Sequence, residues 1–279
     1  LKKISIDGMQ TQKNTMIFLS DTCDKHRYFK DNEERTKKVR LMEVDGQVVC
    51  PLCESEKREK ELESEVYQLH KDRIENPNKF IFGRDSLVAD PTILKARFGN
   101  FEADGQEEAY NFDKVKSSVL DFTQGKSFTL WMQGKPGTGK SHLSYAFAHE
   151  VNKIGKYKVL FIDMSELVKS IRETFNNNST ETEQSIIKKL TDADLLVLDD
   201  IGAEVGNIDT DKTASDFVSR VVFALFNGRQ GKCTICTTNL TGGQIKKIYD
   251  AKTFSRMFRD FRAIKFENSK DRRFIELPF

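Results

Sequence analysis

The sequence predicts a three-layer α/β domain with a parallel sheet, preceded by a small N-terminal module of different character. Three observations carry this reading. From about residue 116, short apolar runs alternate with segments of helical periodicity, the pattern of parallel strands joined by right-handed crossovers. A glycine-rich run over 134–141 stands between one such strand and the helix that follows. Three of the five cysteines lie within the first 53 residues, where long apolar patterns are few.

The elements follow in order. Val48 and Val49 read as a strand running into Cys50. Residues 54–75 hold eight acids and five bases, with Leu62, Val66 and Leu69 at i, i+4 and i+7. That is a mostly solvated helix with one narrow apolar stripe, either a spacer or a partner-docking face. Asn76-Pro77-Asn78 ends it. Residues 80–115 read as extended and loop-rich, anchored by Phe98, Phe101 and Phe112. Residues 127–133 form a buried strand. Residues 141–154 form a helix with Leu143, Ala146, Phe147, Val151 and Ile154 on one face and Gly155 as its stop. A strand at 158–163 leads to a helix at 165–175 with Ser165 as N-cap. A strand at 195–198, a long helix at 213–226, a strand at 233–238, a helix at 253–261 and a short strand at 263–266 complete the pattern.

Composition narrows the function classes. Charged residues make up 32% of the 279, and the net charge of +2 excludes a general polycation. The longest purely apolar run, 221–226, has six residues against the roughly 20 of a membrane span. Leu1-Lys2-Lys3 leads into mixed polar sequence, not the apolar core of a signal peptide. A cytoplasmic protein without a membrane partner is expected. Five cysteines in such a chain point to metal binding or burial, not to a disulfide framework.

Gly134, Lys135, Pro136, Gly137, Thr138, Gly139, Lys140 and Ser141 match G-x-x-x-x-G-K-[ST] in full, after a strand and opening a helix. Glycines let the backbone curl so that N–H groups point at phosphate oxygens, and the helix N-terminus adds positive potential. Lys140 reaches the terminal phosphates, and the Ser141 hydroxyl takes a place on Mg²⁺. A second apolar strand ends in Asp199 and Asp200. Asp199 is placed to orient Mg²⁺ and Asp200 to polarise the attacking water, with Glu204 a weaker candidate for that water. A third strand ends in Thr237-Thr238-Asn239, which places Asn239 near the γ-phosphate.

In the N-terminal module, Cys23-x-x-His26 and Cys50-x-x-Cys53 form two ligand pairs 23 residues apart. Three Cys and one His suit tetrahedral Zn²⁺, and a piece this small needs a metal to supply folding energy. Reduced, unliganded thiols are the competing state. His70, His142 and His149 have no partners at ligand spacing. Cys233 and Cys236 form a second C-x-x-C, but residues i and i+3 of a strand point to opposite faces. They read as buried small apolar residues.

These motifs resemble those of AAA+ ATPases, specifically the DnaC/DnaI-type bacterial helicase loaders. The resemblance rests on 134–141, 195–202, 237–240 and Phe254-Ser255-Arg256-Met257, with Arg97-Phe98-Gly99-Asn100-Phe101 similar to the lead-in before the ATPase core. It covers roughly 95–273. It implies ATP and Mg²⁺ as ligands, held by 134–141 together with His142, Asp199 and Arg272. It also implies catalytic roles for Lys140, Asp200, Asn239 (sensor 1) and Arg256, an arginine finger acting on a neighbouring subunit. Arg272 is the implied sensor-2 residue. Arg259 and Arg273 are the substitutes, because residues 244–279 hold ten bases against five acids. So few residues follow Arg272 that a truncated helical lid is expected. The helix at 165–175, with Lys169 and Arg172, matches a DNA-contacting helix of these loaders or is an ordinary packed helix.

The implied organisation is a zinc-binding, helicase-docking module at 1–53, a linker at 54–94, and an AAA+ ATPase domain at 95–279. Its implied partners are a hexameric replicative helicase, single-stranded DNA and further copies of the chain. Residues 1–85 balance 17 bases with 17 acids, a poor phosphate binder and an acceptable protein binder. The rivals are an IstB-type transposition helper ATPase and a nucleotide-gated adaptor with negligible turnover.

Overall fold

The structure is a computed structural model that describes residues 17–175, 181–205 and 213–272. The chain forms two compact units that divide between Ile74 and Glu75.

In the first unit, β1 (Ile17–Lys30), β2 (Glu33–Val44) and β3 (Gln47–Val49) pair antiparallel in that order. The first turn is Asp31-Asn32 and the second Asp45-Gly46, all four at positive φ, as two-residue hairpins on right-twisted strands require. The long β1–β2 ribbon departs from the sequence expectation, which placed only β3 as a strand. Helix α1 (Pro51–Glu75) buries none of its residues, in keeping with its charge density. The ribbon's register slips between Cys23, which faces Val39, and His26, which faces Lys37. Two residues on β1, Asp24 and Lys25, thus oppose one on β2, Lys38. That bulge brings to one side two side chains that a regular strand would send to opposite faces.

In the second unit, β4 (Thr129–Gly134), β5 (Val159–Asp163), β6 (Leu195–Asp199), β7 (Cys233–Thr238) and β8 (Phe261–Phe266) form a parallel sheet, ordered β5-β6-β7-β4-β8. Alternate residues of each strand feed two separate cores. Val159, Phe161, Leu195, Val197, Cys233 and Ile235 pack under α3 (Gln106–Thr123) and α4 (Lys140–Lys153). Leu160, Ile162, Leu196, Leu198 and Cys236 pack under α5 (Met164–Glu173), α6 (Glu183–Thr191), α7 (Asp216–Gly228), α8 (Gly242–Ile248) and α9 (Ala251–Met257). This is the expected three-layer α/β architecture. Cys233 and Cys236 fall on opposite faces, both buried, as the strand geometry requires.

Several boundaries differ from expectation. Residues 80–115 are not mainly extended: α2 (Pro77–Asp85) and the start of α3 lie there. Phe98, Phe101 and Phe112 do act as anchors, Phe112 packing on the other two rings. Helix α5 is capped by Asp163, not Ser165. The Asp163 carboxylate accepts from the N–H groups of Ser165 at 2.9 Å and Glu166 at 3.1 Å, so the cap sits at the last residue of β5. Helix α9 stops at Met257, and Asp260, at φ 49°, turns the chain into β8. Helices α6 and α8 are additional. Among the described residues, no helix is long and apolar enough to cross a membrane.

Candidate functional site

Three parallel strands deliver the chemistry to one end of the second unit's sheet, the end where α/β sheets bind ligands. Beyond β4 the chain curls through Gly137 and Gly139, at φ 76° and 91°, into α4. These left-handed conformations suit glycine, and a Cβ at Gly139 would also collide with the Phe101 ring. The Lys140 ammonium is buried. It donates to Gly134 O at 2.8 Å, Lys135 O at 2.6 Å and Asn239 Oδ1 at 2.9 Å. Asn239 in turn donates from Nδ2 to Asp200 Oδ1 at 2.9 Å. A continuous chain Lys140–Asn239–Asp200 therefore joins three of the residues singled out from sequence.

The end of β7 organises the acids. Thr237 Oγ1 donates to Asp199 Oδ1 at 2.6 Å and accepts from Asp200 N at 2.8 Å. Thr238 Oγ1 donates to Ile201 O at 2.7 Å. Asp200 is held at φ 56°, which swings its carboxylate to Asn239 while Asp199 stays in line with the strand. The sequence reading took Thr237 and Thr238 only as strand residues. A run of Thr at a strand end beside tandem acids is the signal that would have found them.

A cavity of about 390 Å³ opens here, lined by Pro136, Gly137, Gly139, Lys140, Ser141, His142, Asp199, Asp200, Thr237, Asn239 and Arg272. Gly134, Lys135 and Thr138 do not line it. The first two present carbonyls to Lys140, and the Thr138 hydroxyl donates to Lys135 O at 2.9 Å. His142 pairs through Nε2 with Arg97 O at 2.9 Å and meets Phe101 edge-on. Arg272 lies over the Phe101 ring at 4.5 Å. The remaining wall, Val88, Ala89, Asp90, Thr92 and Ile93 with Phe161 and Asp163 of β5, was not anticipated. Leu87 bridges to β5, donating to Phe161 O and accepting from Asp163 N, and so sets that segment beside the cavity. Glu204 is not among the lining residues. Its carboxylate accepts from Tyr249 Oη and from Gly202 N. Arg256 and Arg259 do not line the cavity of their own chain. Arg259 bonds Gln230 and pairs with Asp260. Arg273 lies outside the described residues. Lys169 and Arg172 are exposed on α5, while Leu167, Val168 and Ile171 pack into the core.

Burial pushes the Asp199 carboxyl up to about 6, the charges of Asp200 and Asp163 add to this, and hydrogen bonds from Thr237 and Ser141 oppose it. Between its ordinary 3.8 and about 6, the folded chain therefore binds a proton that the unfolded chain has released. This group's contribution to stability falls as pH rises through that window, and a bound cation restores it. With Asp199 as a Mg²⁺ ligand, the expectation is that Mg²⁺-dependent nucleotide affinity is full above pH 7 and falls about tenfold per unit below about 6. Titration of nucleotide affinity from pH 5 to 8 at fixed Mg²⁺ checks this; a flat profile would detach Asp199 from the cation.

The first unit gathers Cys23, His26, Cys50 and Cys53, whose ligand atoms all lie within 4.8 Å of one another. Cys50 precedes α1 and Cys53 sits in its first turn, so both face one point, while the β1 bulge supplies Cys23 and His26. Cys23 Sγ and Cys53 Sγ are 3.8 Å apart. That equals the tetrahedral edge of roughly 3.8 Å expected for Zn–S bonds of about 2.3 Å. His26 Nε2 lies 3.2 Å from Cys50 Sγ and 3.3 Å from Cys53 Sγ, while its Nδ1 pairs with Glu56 Oε1 at 3.1 Å. A carboxylate on the far ring nitrogen is the usual support of a zinc-bound imidazole. Sequence reading missed Glu56, although its spacing of three from Cys53 could have suggested it. Burial raises the Cys50 thiol, but backbone N–H groups of Cys53 and Leu52 and the His26 ring outweigh it and bring it to about 7. The donor set fits Zn²⁺.

A family model described as IstB-like ATP binding protein matches residues 100–261. Among characterised relatives, the replicative helicase loader DnaC of Buchnera aphidicola subsp. Baizongia pistaciae is 35% identical over 36% of this chain and 36% of its own length. DnaC of Escherichia coli K12 is 34% identical over 41% of this chain and 45% of its own. The chain thus spans less than half the length of either relative. A solved DnaC helicase loader superposes with a TM-score of 0.54 at 18% identity, covering 63% of this chain and 99% of that one, a likeness of fold. With a match over more than half its length, and with the parallel sheet and glycine-rich turn in place, this chain belongs to the IstB-like ATP binding protein family.

Proposed function

We propose that this protein is an ATP-hydrolysing loader of a hexameric replicative helicase. The observation that carries the reading is the hydrogen-bonded chain Lys140–Asn239–Asp200 inside a nucleotide-sized cavity. Lys140 would exchange its carbonyl partners for the β- and γ-phosphates of ATP, with 134–142 cradling them and Arg272 at the mouth. Ser141 and Asp199 would hold Mg²⁺, which when bound offsets phosphate charge. Asp200 polarises the water that attacks the γ-phosphorus, and Asn239 orients that water and reports the phosphate to Lys140.

Arg256 stands on α9 and does not line its own cavity, which suits a finger offered to the next subunit. Arg256→Ala should leave ATP affinity unchanged and lower turnover by about 10³-fold, the scale of arginine fingers. Mixing this variant with Lys140→Met protein should restore part of the activity, since each would supply the group the other lacks. Full turnover by a dilute monomer, or by Arg256→Ala alone, overturns the assignment.

In the same proposal, residues 1–53 dock on the helicase, 54–94 connect, and 95–279 form the motor that assembles on single-stranded DNA, with Lys169 and Arg172 as candidate contacts. The likeness to two DnaC loaders and the charge balance of residues 1–85 support this. Light scattering of the full chain with the cognate replicative helicase, with and without ATP, tests it. A stable complex is expected. The description of the family model favours one second reading, a transposition helper of the IstB type. That protein would ignore the helicase and bind a transposase. Nucleotide-dependent binding of the helicase without any hydrolysis would instead mark the adaptor.

A further inference from the structure

Helix α3 carries a carboxylate spent entirely on the chain beyond β8. Glu107 accepts from Asn268 N at 3.0 and 3.1 Å, Asn268 Nδ2 at 3.1 Å, Ser269 N at 3.1 Å and Ser269 Oγ at 2.7 Å. One turn further along α3, Asn111 Nδ2 donates to Lys265 O at 2.7 Å. Ser269 is buried beneath these contacts. Two residues past Ser269 the chain reaches the glycine-rich turn. Asp271 packs against Gly137, Arg272 N donates to Gly137 O at 3.1 Å, and the Arg272 guanidinium lies over Phe101 and lines the cavity.

After Phe266 the chain has left the sheet, and among the described residues no further helix or strand follows. A short irregular segment loses much conformational entropy when it is fixed in one place. Something must therefore hold it where Arg272 meets the cavity. Four donors converging on one carboxylate are the strongest tie that the segment has before Asp271, because hydrogen bonds to a charged acceptor exceed neutral ones.

We infer that Glu107 is a positioning residue for nucleotide binding: by holding Asn268 and Ser269 it keeps Arg272 at the mouth of the cavity. The inference rests on the nucleotide reading of that cavity. It makes Glu107, on a helix that contributes no lining residue, a determinant of affinity for the triphosphate. Glu107→Gln keeps the shape of the side chain but turns an amide donor toward groups that are themselves donors.

The test is a double-mutant cycle on the full chain. Affinity for a non-hydrolysable ATP analogue is measured in the parent, Glu107→Gln, Arg272→Ala and the double variant, with Lys140→Met as control. Tryptic cleavage after Lys270 is followed in parallel without nucleotide. Glu107→Gln should weaken binding roughly tenfold, as loss of one charged hydrogen bond does, and should speed cleavage after Lys270. The double variant should bind no worse than Arg272→Ala alone, because Glu107 acts through Arg272. Binding by Glu107→Gln equal to the parent's, or losses that multiply in full in the double variant, overturns the inference while leaving the nucleotide site intact. Lys140→Met binding like the parent overturns the nucleotide reading, and the inference with it.

Discussion

Lys140→Met abolishes nucleotide binding: affinity for ATP should fall at least about 100-fold, with little loss of fold. The argument runs through the partners of the ammonium. The Lys140 ammonium donates to Gly134 O, Lys135 O and Asn239 Oδ1. Binding exchanges these neutral acceptors for anionic oxygens. Charge-assisted bonds of this kind contribute about 1.5–3 kcal/mol each, and two of them make the expected loss about 3–6 kcal/mol. Methionine keeps most of the apolar stem and removes the cation. Gly134 and Lys135 do not line the cavity, but Lys135 O is only part-buried and open to water, so the main penalty is the lost donor at the buried Gly134 O, about 1–3 kcal/mol. The melting temperature should therefore shift by only a few degrees while the binding isotherm collapses. Calorimetric titration alongside a thermal melt separates the two effects. A variant that binds within tenfold of the parent would place the triphosphate elsewhere.

What was legible in the sequence follows the chemistry that made it legible. Strands buried on both faces read as unbroken apolar runs, so β4 to β7 and their order of alternation with helices were visible. The glycine-rich turn was visible because its backbone geometry tolerates few other residues. Helix α3 was not, because three of its five buried positions, Glu108, Asn111 and Ser118, are polar and mask the helical period. Helix α8 opens with Thr241 and Gln244 in a reciprocal capping box, a local signal available in the sequence but short of apolar support. The β1–β2 ribbon is exposed along nearly its whole length, so it shows no alternation to detect. Asp45-Gly46, between β2 and β3, is a strong hairpin signal, but it lies outside that ribbon. At the site, the residues read as phosphate and cation ligands came from motifs. Those that orient them, Thr237, Phe101 and Glu107, were hidden because their roles depend on contacts across the sheet or along the chain's far end.

Chelation of zinc should unfold the first unit and leave the second standing. The two units differ in what they bury. The second has two full apolar layers, while among the described residues of the first only His26 and Cys50 are buried, and both belong to the ligand set. Helix α1 adds no buried residue, and Leu62, Val66 and Leu69 remain exposed on it. Burial of apolar area thus offers almost nothing against the conformational entropy of ordering some 58 residues, which costs about 1–2 kcal/mol each for the backbone. The hairpin hydrogen bonds offset part of that, but a ribbon of two long strands and one short one with so little buried is marginal in water. A structural Zn²⁺ contributes about 10–16 kcal/mol in small metallo-modules, a stabilisation that the thinly buried ribbon has no apolar substitute for. Metal analysis should find about one Zn²⁺ per chain. With chelator, proteolysis should cut within 17–74 while the second unit stays resistant and still binds nucleotide. Cys23→Ser should reproduce the chelated state, because loss of one thiolate opens the tetrahedron. A metal-free protein whose β1–β2 amides remain protected from hydrogen exchange would show that the ribbon holds itself together, and the four ligand atoms would then be a cluster of reduced thiols around a histidine.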